Sequence, residues 1–83
     1  MIIRFHPHAV ERMDERGTNR EEVENTIEEG DRFPVKYGRT GFLRNFIFNS
    51  EWHGKRYNTK QVEVYVVEQE NGWLVITVIS RYF

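Results

Sequence analysis

Hydrophobic and polar positions along the chain follow two periods, and the change between them falls near residue 30. Up to that point apolar residues recur at helical spacing: Ala9 and Met13 lie four apart with Val10 beside them, and Val23 and Ile27 repeat the interval. The spacing predicts a helix over residues 7–16. Pro7 suits its first turn, where the missing N–H would be unpaired anyway, and Gly17 stops it. A second helix is predicted to open on the capping box Thr18-Asn19-Arg20-Glu21, with Glu21, Glu22 and Glu24 at its positive end and Gly30 as a left-handed cap. Ile2–Phe5, ahead of both helices, reads as a brief strand.

From Phe33 onward the period becomes two. In GFLRNFIFN, residues 41–49, Phe42, Arg44, Phe46 and Phe48 alternate with Leu43, Asn45 and Ile47. The run QVEVYVVEQE-NG-WLVITVIS predicts a hairpin with a type I′ turn at Asn71-Gly72, which would set Val67 opposite Ile76 and Tyr65 opposite Val78. Leu74, Ile76, Val78, Tyr65 and Val67 are then expected under the helices. Trp73, Val75, Thr77, Ile79 and Arg81 would share the other face with Val62, Val64, Val66 and Glu68. The expected fold class is α+β, with two short N-terminal helices on a twisted antiparallel sheet of four to five strands.

At 83 residues the chain fits a single domain spanning 1–83. A core of that size leaves much surface in water, so pairing as a homodimer would stabilise it. The absence of cysteine excludes disulfides, thiolate metal sites and thiol nucleophiles, and fits a reducing, cytoplasmic setting. No apolar stretch is long enough for a signal peptide or a membrane span.

The net charge of -1 conceals a partition. Residues 1–30 carry 4 cations against 8 anions, residues 31–60 carry 7 against 2, and residues 61–83 carry 1 against 3. A contiguous middle segment would attract phosphate, whereas basic strands facing acidic helices would neutralise one another.

The stretch HPHAVERMDERGTNREEVENTIEEG resembles a family of small domains of unknown function with a helix of the form H-A-x-x-R-x-x-x-R-G, here His8, Ala9, Arg12, Arg16 and Gly17. GRTGFLRNF, KRYNTKQVEVYVVE and WLVITVISRYF extend the likeness over nearly the whole chain. That family is similar to BrnT-type toxins and, more distantly, to RelE-like ribonucleases of toxin–antitoxin systems. The resemblance implies two helices on an antiparallel sheet, action on RNA and a cognate antitoxin protein.

His8, Arg12 and Arg16 recur every four residues, so they share one helical ridge. They read either as an imidazole beside two phosphate-binding guanidiniums, or as ion pairs and carbonyl contacts holding the helix in place. Lys36, Arg39, Arg44, Lys55, Arg56 and Lys60 interleave with Tyr37, Phe42, Trp52, His53 and Tyr57. Cations alternating with rings suit single-stranded RNA, whose phosphates take the charges while its bases stack. Metal-free RNA cleavage needs a base for the 2′-OH, an acid for the leaving 5′-oxygen and a cation for the phosphate. The candidates are Lys60, Tyr57 and Arg44 as donors, His53 or Glu63 as proton acceptor and Arg81 as a phosphate contact.

His6 and His8 straddle Pro7 and cannot share a helix face, and no further ligand stands at a familiar spacing, so no metal site or cofactor is expected. The leading expectation is a RelE/BrnT-like toxin-family protein that cuts or binds RNA without metal. The alternative is a non-catalytic module that docks protein or nucleic acid through the same surface.

Overall fold

A computed structural model describes residues 1–83. The elements are β1 (Ile2–Phe5), α1 (Pro7–Glu15), α2 (Arg20–Glu29), β2 (Asp31–Pro34), β3 (Arg39–Trp52), β4 (Lys55–Gln69) and β5 (Gly72–Tyr82). They form the expected α+β fold, with five strands in the order β1-β5-β4-β3-β2.

The sheet is mixed rather than antiparallel, because β1 pairs parallel to β5, with Ile2 beside Gly72 and Phe5 beside Val75. A side chain at Gly72 would overlap the Ile2 backbone, so the close approach of these strands needs glycine there. α1 packs on β5 while α2 packs on β4 and β3, so both helices lie over one face.

The helix ends follow the sequence with two corrections. Gly17 has φ +68 and stops α1 as expected. The capping box is built one residue later than expected: Asn19 accepts from the Glu22 N–H at 2.8 Å, and the Glu22 carboxylate accepts from the Asn19 N–H at 3.1 Å. Thr18 is drawn off to the sheet, where its hydroxyl meets Ser80 Oγ at 2.5 Å. Gly30 is extended rather than left-handed; its lack of a side chain matters because a Cβ would overlap the carbonyl oxygens of Thr26 and Leu43.

The β4–β5 hairpin differs from expectation in turn and register. Its loop is Glu70-Asn71, with only Asn71 at positive φ, whereas a type I′ turn needs two such residues. Pairing runs Glu68 with Trp73, Val67 with Leu74 and Val66 with Val75, and a bulge then places Tyr65 opposite Thr77. Beyond the bulge Val64 meets Val78 and Val62 meets Ser80. A two-residue loop with both φ values positive does occur at His53-Gly54, joining β3 to β4.

For β4 and the first part of β5 the helix-covered face is consequently the one expected to lie outside, whereas past the bulge Val78 lies under the helices, and Ile79 and Arg81 away from them, as expected. The core is Val62, Val64, Val66, Trp73, Val75 and Val78 from the sheet, Phe42 from β3, and Ala9, Met13, Val23 and Ile27 from the helices. Val62, Val64, Val66, Val75 and Val78 are wholly buried, and each such burial is worth about 1.5–3 kcal/mol relative to exposure. Short β-branched side chains fill the space beneath two helices without holding them off. Phe33, Leu43, Tyr65, Val67, Leu74 and Ile79, all only half-buried, lie on the opposite face, which no helix covers.

Candidate active site on the open face of the sheet

Strand geometry sorts the sequence candidates into separate places. Residues on one strand alternate between faces, so Lys60 and Glu63, three apart on β4, point to opposite sides.

Lys60 lies on the helix side with its side chain 4% exposed. Its ammonium donates to the Gly17 carbonyl at 2.5 Å and pairs with the Glu22 carboxylate at 2.8 Å. Tyr82 donates to the Arg16 carbonyl at 2.7 Å, and Arg16 donates to the Val78 carbonyl at 2.5 Å. Burial and the nearby Glu22 charge raise the Tyr82 phenol above its ordinary pKa. Every donor in this cluster is used to fasten the α1–α2 turn to the ends of β4 and β5. Arg44 belongs to the same side, its guanidinium bonded to the Asn25 side chain on α2.

At the far end of the β3–β4 hairpin, the Trp52 ring stacks with both His53 and Tyr82, their ring centres 4.2 and 5.0 Å from its own. A side chain at Gly17 would overlap Trp52, so the glycine lets the hairpin end close on the helix turn. Tyr57 reaches the same aromatic group, while Lys55 and Arg56 are exposed beside it. Lys36 and Arg39 flank the β2–β3 turn at the opposite end of β3. His8 is exposed on α1, where its backbone N–H donates to the His6 ring, and Arg12 pairs with Glu15 at 2.8 Å. The cations of the middle segment are thus spread over both ends of β3 and both faces of the sheet.

One carboxylate on the open face is largely buried and has side-chain partners. The Glu63 side chain is 12% exposed, set between Leu43 on β3 and Ile79 on β5, its cross-strand neighbours. Its carboxylate accepts from the Tyr65 hydroxyl two residues along β4, and from Arg81 Nη1 at 3.3 Å. The hydrogen bond to Glu63 is the main reason the Tyr65 phenol titrates above its ordinary value, with burial and the Glu63 charge adding to it.

Gly41, directly opposite Tyr65 on β3, makes room for the Phe33 ring, which folds over it to meet Tyr65 edge-on at 6.2 Å. Asn45 and Gln61, hydrogen-bonded at 3.0 Å, continue the polar strip. Register places Arg4, Arg39 and Arg81 on this face against Glu63 and Asp31. The face therefore offers a carboxylate held by two donors, with a surplus of guanidinium around it.

Of the sequence candidates, Glu63, Arg81 and Arg39 share this face; the remainder lie on the helix side, at the β3–β4 hairpin end, in the β2–β3 turn or along α1. Tyr65 was not among them, since it was expected beneath the helices. Its alternation with Glu63 on β4 was the available signal.

These features define a small α+β domain with a helix-covered core on one side of the sheet and a titratable cluster on the other. The chain belongs to the family described as Domain of unknown function (DUF4258), whose model matches residues 5–80 and so includes Glu63 and Tyr65. No curated protein and no solved structure matches it.

Proposed function

We propose that this chain is a relative of the RelE/BrnT-like ribonuclease toxins and engages RNA on the open face of its sheet, cleaving it without metal. The observation that carries the reading is the Glu63 carboxylate, largely withdrawn from water on a face no helix covers and held by Tyr65 and Arg81.

In the proposed reaction Glu63 takes the proton of a ribose 2′-OH, and the resulting oxygen attacks the adjacent phosphorus. Arg81 receives the charge that grows on the non-bridging oxygens. Tyr65, kept protonated by its neighbourhood, supplies the proton that leaves with the 5′-oxygen. The products are a 2′,3′-cyclic phosphate and a free 5′-hydroxyl. Phe33 offers a flat surface for an unstacked base beside these groups. An antitoxin protein would silence the activity by covering the same half-apolar face.

Incubation of the purified chain with single-stranded RNA in excess chelator tests this. Fragments ending in 2′,3′-cyclic phosphate are expected, with none from DNA of the same sequence. Glu63→Gln should slow cleavage about 100-fold or more, the usual worth of a positioned base. RNA left intact by the wild type, or cleaved equally by Glu63→Gln, would overturn the catalytic reading. RNA binding without cleavage, unchanged in Glu63→Gln, would favour the non-catalytic module.

A further inference from the structure

Strand β3 runs for 14 residues, yet β2 covers only Thr40–Leu43 of its outer edge. From Arg44 onward the backbone has β4 on one side and no strand on the other. Unpaired edges template further strands, and natural sheets usually guard them with shortness, charge or proline. The other open edges are guarded: β1 has 4 residues and carries Arg4, β2 has 4 and ends at Pro34, and on β5 past Val75, which β1 leaves uncovered, Arg16 takes the Val78 carbonyl. The β3 edge has no such guard over Asn45-Phe46-Ile47-Phe48-Asn49. Ile47, at 90% exposure, is the most exposed large hydrophobic residue of the chain.

That five-residue segment reads the same in both directions. Two copies laid antiparallel about a two-fold axis at Ile47 would set each Ile47 against its counterpart and each Phe46 against the second copy's Phe48. Such self-complementarity is what an isologous contact requires.

We propose that the Phe46–Phe48 edge of β3 pairs antiparallel with the same edge of a second copy, joining two five-stranded sheets into one. The β3 bulge, with Asn49 at φ +42 and its carbonyl accepting from Arg56, ends the ladder just past Phe48. A ladder so short makes a reversible, concentration-dependent dimer. The inference stands apart from the catalytic reading, since neither Glu63, Tyr65 nor Arg81 takes part.

Sedimentation equilibrium over a roughly hundredfold concentration range tests it on the full chain. The apparent mass should climb from 10.1 kDa toward twice that value. Ile47→Lys should stay monomeric throughout with an unchanged circular dichroism spectrum, because its side chain leaves solvent only in the dimer. Ile47→Cys, introducing the chain's sole thiol, should form a disulfide dimer on mild oxidation, since directly opposed antiparallel residues lie within disulfide reach. Ile2→Cys, on the β1 edge, should not. A monomer at every concentration with no Ile47→Cys disulfide above that control would overturn the proposal. So would a dimer that survives Ile47→Lys, or an edge that cross-links only to a different co-expressed protein.

Discussion

The two faces of the sheet are built from similar proportions of apolar side chains but do different work. On the helix side, five wholly buried valines pack beneath α1 and α2, and the one buried ammonium, Lys60, has both a carboxylate and a carbonyl as partners. On the open side, comparable residues stop at half-burial and surround a carboxylate whose partners are a phenol and a guanidinium. Polar groups on the first face are consumed by holding the fold together. Those on the second face lie under no helix, with the Arg81 side chain half-exposed beside the Glu63 carboxylate.

Substitutions should therefore split by face, with stability lost on one and function on the other. The largest expected effect is Trp73→Ala, which empties the ring packed edge-on against Phe42 at 5.7 Å and beneath Arg32; urea unfolding should show a loss of about 3–5 kcal/mol. Next comes Glu22→Ala, which leaves the Lys60 ammonium without its counter-charge and removes half of the α2 capping box. A loss of about 3 kcal/mol is expected, and a Glu22→Ala/Lys60→Met double variant should regain part of it.

On the open face Tyr65→Phe should cost only about 1 kcal/mol, the worth of one hydrogen bond, and under the proposed reaction it slows RNA cleavage far more than it lowers stability. Equal stability losses on the two faces would erase the distinction.

The smallest effect concerns pH. Tyr65 and Tyr82 titrate above the ordinary phenol value of 10.0 when folded. Their contribution is thus fully present below pH 10.0 and lost as pH rises through the higher folded values. Thermal melts should be flat in this respect near neutrality and fall in strong alkali, and the Tyr65→Phe/Tyr82→Phe double variant should fall less steeply.

Much of the architecture is legible in the sequence. Pro7, Gly17 and the four-residue spacings fix two helices, and the change to a period of two fixes the strands. The choice of face is not legible, because the stretch from Val62 to Ile79 is apolar on both sides and alternation alone cannot say which side the helices take. Parallel docking of β1 is a tertiary event that a four-residue strand does not encode. The Asn71-Gly72 pair points to the hairpin but misplaces its turn by one residue, since Gly72 is needed in the strand to let Ile2 approach. For the candidate site, Glu63 and Arg81 stand out by chemistry. Tyr65 does not, because an aromatic between valines reads as core until the open face is known.

The extra residue at Ile76 gives β5 two reading frames. Before it odd-numbered side chains enter the core, as Trp73 and Val75 do; after it even-numbered ones do, as Val78 does. Arg81 owes its position beside Glu63 to that change of frame. Absorbing Ile76 into regular alternation, without the bulge, would turn the arginine toward the helices and Val78 toward water. A single inserted residue thereby couples the completeness of the core to the presence of a cation on the outer surface.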